Sequence, residues 1–197
     1  MIRRAMIRNQ VMLAACSFAF LLAVNSAAYW QSNSKAQTKA ASQVEIHNEL
    51  IDESAFLKSA DQAIQLRKQR RLTEAEFIKL SQKPRVIVLD ARSKDRYQQV
   101  HIKGAISLPF TDISFDSLAK ALPDKNATIL IYCNNNFRGN APELQAKSPG
   151  AALNLSTFSS LYDYGYRNIY ELGPALDIRT TKLTLVGDNA EALKQNR

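Results

Sequence analysis

In the stretch TILIYCNNNFRG, residues 128–139, a run of apolar residues ends in Cys133, and Asn134, Asn135, Asn136, Phe137 and Arg138 follow it. A thiolate is a strong nucleophile once something stabilises its charge. A loop that turns successive backbone N–H groups inward provides that stabilisation. Such a loop calls for left-handed backbone at some positions, which glycine adopts most readily and asparagine next. On this reading the three asparagines, closed by Arg138 and Gly139, form a cradle with Cys133 at its base, and the inward amides and the guanidinium favour the thiolate. The competing reading is an inert strand-end cysteine before a solvated polar turn, because free cysteine is among the most buried residue types. The loop alone leaves both open.

The N-terminus sharpens the question. MIRRAMIRNQ is basic, VMLAACSFAFLLAV is apolar and NSAA is small, which is the order of a secretory signal, with cleavage best placed after Ala28. Extended through Trp30 the apolar stretch is long enough for an uncleaved anchor. Residues 1–28 are therefore expected to be a signal peptide or a membrane anchor. The rest is expected in the periplasm, free or held at the inner membrane facing that compartment. Cleavage would remove Cys16 and leave Cys133 as the single cysteine, so no internal disulfide is expected. The formal charge of +8 owes much to this segment. From Tyr29 onward 23 basic residues face 18 acidic ones, a mild excess. The cluster Arg67-Lys68-Gln69-Arg70-Arg71 lacks interleaved aromatics and reads as a solvated helix end, so no nucleic-acid partner is expected.

Other elements must hold the cysteine in place. After a polar linker, 29–51, the apolar face of Phe56, Ala60, Ala63, Ile64 and Leu66 predicts an N-terminal helix, 52–71. Thr73 with Glu76 is a capping box that opens a second helix. VIVLD and TILIY are short, β-branched runs suited to buried strands, with further strands at AISLP and NIYEL. Helices are expected at KDRYQQV, Ser117–Leu122 and Thr157–Tyr164. Strands alternating with helices predict a mainly parallel sheet covered on both faces. In such sheets ligands sit at the C-terminal ends of the strands, where Cys133 falls. Residues 181–197 are expected to be a tail.

LDARSKDRYQQVHIKGAISLP together with ILIYCNNNFR resembles the rhodanese-like domain family. Asp90 and Arg92 match its D-x-R, Tyr97 its aromatic position, and His101, Gly104, Ala105 and Pro109 its H-I-x-G-A-x-x-x-P signature. Cys133 and Arg138 match its active-site loop. The resemblance implies a domain over 72–180 with an α/β fold, a five-stranded, mainly parallel sheet flanked by helices. It implies sulfur transfer: Cys133 takes a sulfane sulfur from a donor such as thiosulfate and passes it to a thiol or cyanide acceptor. The backbone amides of Asn134, Asn135, Asn136 and Phe137 would hold the sulfur, and Arg138 would supply positive charge. Asp90, Arg92, His101 and Gly104 would be structural. No cofactor is implied, and two histidines with one cysteine give no metal-ligand spacing. Phosphatases and arsenate reductases on the same fold have loops that resemble C-x5-R, one residue longer, so the six residues from Cys133 to Arg138 favour sulfur over phosphate.

The chain departs from the family pattern in places. Val100 and Arg96 replace the usual glycine and glutamate, and the loop between Cys133 and Arg138 carries no charge. About a dozen extra residues, within 139–156, precede the helix that normally follows the loop directly, and they suggest a lid or a protein-binding surface. The alternative to an exported sulfurtransferase is thus a catalytically weak interaction module, which binds through this insertion and the N-terminal helix.

Overall fold

The computed structural model describes residues 46–195; the segment expected to be a signal or anchor, Cys16 and most of the expected linker lie outside the described residues. Residues 46–50 are exposed and belong to a separate N-terminal unit. The second unit begins with helix α1 (Glu53–Lys68), strand β1 (Arg71–Leu72), α2 (Glu74–Ser81), β2 (Val86–Asp90), α3 (Lys94–Gln99), β3 (His101–Ile102) and β4 (Ile106–Ser107). It continues with α4 (Phe115–Ala121), β5 (Thr128–Tyr132), β6 (Phe137–Arg138), α5 (Leu153–Asp163), β7 (Ile169–Leu172), β8 (Leu176–Asp177), β9 (Leu185–Val186) and α6 (Ala190–Gln195). No described helix is long and apolar enough to cross a membrane.

The main sheet has five strands in the order β1-β7-β5-β2-β4, all parallel. Its central strands alternate between two cores, because successive side chains leave opposite faces. Leu130 and Tyr132 of β5 join Val88, Phe77 and Leu172 on one face. Ile129 and Ile131 join Leu89, Leu118, Phe158 and Leu161 on the other. Asp90 lies opposite Tyr132 and beside Ser107, so β2, β4 and β5 end at one level and Cys133 emerges from that edge.

Helix starts follow local chemistry. The Asp52 carboxylate accepts from the Ala55 N–H at 2.8 Å, which caps α1. Thr73 and Glu76 complete their capping box at α2, with the Thr73 N–H donating to Glu76 Oε2 at 2.8 Å. The basic cluster at the end of α1 is a solvated helix end only in part: Lys68 and Gln69 are exposed, whereas the arginines are engaged. Arg67 bonds the buried Glu171 carboxylate of β7 at 2.6 and 2.7 Å, and Arg71 Nε reaches it at 3.1 Å. The Arg70 guanidinium lies 4.5 Å from the Tyr170 ring centroid. These contacts tie α1 and β1 to the sheet.

Residues after 180 form part of the fold, where the sequence suggested a tail. β9 pairs antiparallel with β3, and Leu183, Leu185, Ala190 and Leu193 enter the core. The Thr181 hydroxyl and the Lys182 N–H both donate to Glu74 Oε1, at 2.6 and 2.7 Å. Gly187 has φ 126°, and a Cβ there would meet the Gln98 and Gln99 carbonyl oxygens at 2.6 Å. Leu183 and Leu185 do alternate, but over too few residues to announce a strand, and all four side chains enter the same core.

Candidate active site

The D-x-R segment builds one wall. Arg92 folds back from the end of β2 onto Asp90, with Nη2 to Oδ2 at 2.6 Å and Nε to Oδ1 at 2.9 Å. Both side chains are buried, and such an ion pair holds only with its remaining hydrogen bonds satisfied. Arg92 Nη2 also donates to the Val100 carbonyl at 2.5 Å, and the Tyr132 hydroxyl donates to Asp90 while accepting from the Ile102 N–H. The remaining nitrogen, Nη1, reaches Asn134 Oδ1 at 3.3 Å and the Glu143 carbonyl at 3.4 Å. Arg92 thus joins the strand end to the cysteine loop and to the segment beyond it. His101 stacks on Tyr97 with ring centroids 3.8 Å apart, and its Nδ1 lies 2.7 Å from the Tyr97 carbonyl. Gly104, at φ 85°, turns β3 into β4. Neither His101 nor Gly104 reaches the cavity above Cys133.

The asparagines act through their side chains, not through left-handed backbone. Asn134–Asn136 form one 3-10 turn, and the sole non-glycine residue with positive φ among the described residues is Arg85. An amide side chain has both a donor and an acceptor, so it can substitute for a strand neighbour. Asn134 Nδ2 donates to the Gln145 carbonyl at 3.0 Å. Asn135 Nδ2 donates to the Lys147 carbonyl at 2.8 Å, and its Oδ1 accepts from the Lys147 N–H at 3.1 Å. Asn136, buried, accepts from the Cys133 N–H at 2.9 Å and from Asn154 Nδ2 at 3.1 Å, and donates to the Leu172 carbonyl at 2.7 Å. The first two asparagines fasten the inserted segment, and the third fastens the end of β7.

Cys133 is 2 % exposed. The backbone N–H groups of Asn135, Leu153 and Asn154 point at its sulfur. The Asn136 N–H also closes the turn on the Cys133 carbonyl, and the Phe137 N–H closes on the Asn134 carbonyl. Leu153 and Asn154 open α5, so the extra residues arch outward and return the helix N-terminus to the cysteine, where its dipole favours negative charge. The helix starts four residues before the expected Thr157, because Ala152 provides no side-chain cap to mark the start. Burial nevertheless pushes the Cys133 thiol above its ordinary value; the N–H groups of Asn154, Asn135 and Leu153 oppose it, and the charge of Glu171 adds to it. The balance thus favours the thiol over the thiolate in the resting protein, against the thiolate reading of the loop.

A model of the rhodanese-like domain matches residues 73–172. The chain belongs to the rhodanese-like domain family. It is 31% identical over 96 residues to the thiosulfate sulfurtransferase PspE of Escherichia coli, a match that spans 48% of this chain and 76% of that protein. Among solved structures, an E. coli rhodanese with anions is 25% identical, with a TM-score of 0.35 over 52% of this chain and 99% of that one. A thiosulfate sulfurtransferase from Pseudomonas aeruginosa is 21% identical, with a TM-score of 0.42 over 59% of this chain and 20% of that one.

In this rhodanese-like domain Arg138 stands away from the cysteine. It is exposed on β6, which pairs with β8, and its carbonyl accepts from the Ile178 N–H at 3.0 Å. Phe137 is buried edge-on to Tyr132. A cavity of about 510 Å³ lies over Cys133, lined by Arg92, Arg96, Phe110, Asn135 and Lys147 among others, with no carboxylate in its wall. Arg96 Nη1 holds the Pro142 carbonyl at 3.2 Å and Gln99 Oε1 at 3.1 Å. Sequence reasoning missed Lys147 and Tyr132 as site residues and saw Arg96 only as a departure from the family pattern. The signal for Arg96 was that departure itself, a cation in place of a carboxylate. Among the described residues no cluster of three or more His, Cys, Asp or Glu side chains forms a metal site.

Proposed function

We propose that the mature protein is an exported sulfurtransferase that carries a sulfane sulfur as a persulfide on Cys133. The observation that carries this reading is the sulfur of Cys133 beneath a cation-lined cavity, with the N–H groups of Asn135, Leu153 and Asn154 directed at it. The Cys133 thiol first loses its proton to solvent. The thiolate then attacks the outer sulfur of an anionic donor such as thiosulfate; a new S–S bond forms, the donor's own S–S bond breaks, and sulfite leaves with the electron pair. An acceptor thiolate or cyanide attacks the terminal persulfide sulfur, and Cys133 keeps the electron pair as that bond breaks. No outside oxidant or reductant enters. The same three N–H groups serve the thiolate and the persulfide anion. Arg96 and Lys147 take the electrostatic role that the loop pattern assigned to Arg138. The six-residue loop suits one added sulfur atom in preference to a tetrahedral oxyanion.

Export rests on the basic, apolar and small order of residues 1–28. Fractionation with N-terminal sequencing distinguishes a chain starting at Tyr29 from an anchored one, and a full-length chain soluble in the cytoplasm rejects both. The enzymatic reading is tested by intact mass after incubation with thiosulfate: a gain of one sulfur on the wild-type chain, absent from Cys133→Ser, is expected. The raised thiol and the exposed Phe56 and Leu57 on α1 favour a second reading, an interaction module. No sulfur gain with any sulfane donor would favour that module.

A further inference from the structure

We infer that the segment between Arg138 and α5 selects reagents for Cys133 by charge, because the Asn135 clasp presents Lys147 at the cavity. Its meaning for donor choice rests on Cys133 being the sulfur carrier; the charge effect itself does not.

Three cations line the cavity, but they are not equivalent. Arg92 is neutralised by its paired contacts with Asp90. Arg96 bonds only neutral acceptors, a glutamine amide and a backbone carbonyl. Lys147 forms no ion pair among the described residues, and its backbone carbonyl and N–H bond the Asn135 side chain. Two positive charges with no ion pair among the described residues therefore face a wall without carboxylates. Such a cleft raises the local concentration of anions and speeds their arrival by one to three orders of magnitude, roughly 10–10³, at low salt. Lys147 is exposed and lies in the irregular stretch between two 3-10 turns, Pro142–Leu144 and Pro149–Ala151. What holds it is the reciprocal pair of bonds from the Asn135 amide, two residues from the nucleophile. Asn134 does the same for Gln145, so the turn that carries the cysteine also fixes the selecting wall.

The test reads the thiol directly in the full chain. Cys133 is challenged with dithiobis(nitrobenzoate), a dianion, and with neutral dipyridyl disulfide, and the rate of a Cys133→Ser chain is subtracted to remove Cys16. In each reaction the thiolate attacks one disulfide sulfur, a mixed disulfide forms, and an aromatic thiolate leaves with the electron pair. The ratio of the two rates cancels changes in the thiolate fraction. Lys147→Glu should lower the anionic-to-neutral ratio about tenfold at low salt, Lys147→Gln by less, and high salt should shrink both effects. Asn135→Ala, checked for folding by circular dichroism, should lower the ratio in the same direction. A ratio unmoved by Lys147→Glu overturns the inference, whether or not sulfur transfer is observed. A ratio that falls in Lys147→Glu but not in Asn135→Ala overturns the clasp. Absence of persulfide on an otherwise charge-selective thiol rejects the sulfurtransferase reading instead.

Discussion

The backbone N–H of Asn154 is directed at the sulfur of Cys133, so the start of α5 helps close the loop that opens at the end of β5. The insertion between them changes the route of the chain and leaves the helix N-terminus in place. That arrangement supports an anion on sulfur, yet burial of the same atom acts against it, and burial wins in the resting protein.

A pH dependence follows. The thiol titrates above its ordinary value of 9.0, so the thiolate is scarce at neutral pH and grows about tenfold for each pH unit below that titration. Alkylation of Cys133 by iodoacetamide, a neutral reagent, should accelerate continuously from pH 7 to 9, and the first step of sulfur transfer should follow it. A rate that levels off in mildly acidic solution would show that the N–H groups outweigh burial.

Much of this geometry was legible in the chain, for reasons that differ by element. VIVLD and TILIY form β2 and β5 residue for residue, because five-residue β-branched runs buried on both faces have few alternatives. The Thr73–Glu76 box marks α2 because its two hydrogen bonds are local. The pairs β3–β9 and β6–β8 have two residues per strand, too short for any period, and they are held by tertiary context. The asparagine turn misled for a chemical reason. The same residue type that tolerates left-handed backbone also offers a two-way amide, and only the inserted segment's carbonyls decide which property is used.

Serine in place of Cys133 separates chemistry from folding. The side chain is nearly isosteric and cannot carry a persulfide, so Cys133→Ser should keep its circular dichroism and lose all sulfur gain in intact mass. Arg138→Ala, by contrast, removes an exposed side chain outside the cavity and should leave the transfer rate within about twofold, the effect of an ordinary surface change. A loss on the scale of the serine variant would return Arg138 to the site.

Asn136 is expected to matter most for stability. Asn136→Ala strands the Cys133 N–H and the Leu172 carbonyl in buried surroundings and frees Asn154 from its partner. Each stranded group costs about 1–3 kcal/mol, so a loss of about 2–6 kcal/mol is expected in urea unfolding. Asn134→Ala, whose bonds lie nearer solvent, should cost less than about 1 kcal/mol. Equal losses for the two would contradict the division of labour among the asparagines.

Glu171 links the docking of α1 to the reactivity of the cysteine. Its carboxylate is 1 % exposed, holds Arg67 and Arg71, and its charge raises the Cys133 thiol. Glu171→Gln removes a negative charge near the sulfur and leaves both guanidinium groups unneutralised. Each change favours the thiolate, so the titration of Cys133 should move down and iodoacetamide alkylation at pH 7 should speed up. The same substitution breaks a largely buried ion pair and should destabilise the fold by about 2–4 kcal/mol, toward the low end because Arg71 is half exposed. Greater local mobility would also speed alkylation and, by letting water reach the sulfur, lower the midpoint, so Arg67→Gln is the control: it loosens the same anchor while keeping the Glu171 charge and removing a positive one. A midpoint that falls in Glu171→Gln but not in Arg67→Gln assigns the shift to charge. A midpoint unchanged in Glu171→Gln would remove Glu171 from the electrostatics of the site and leave it only the anchoring of α1.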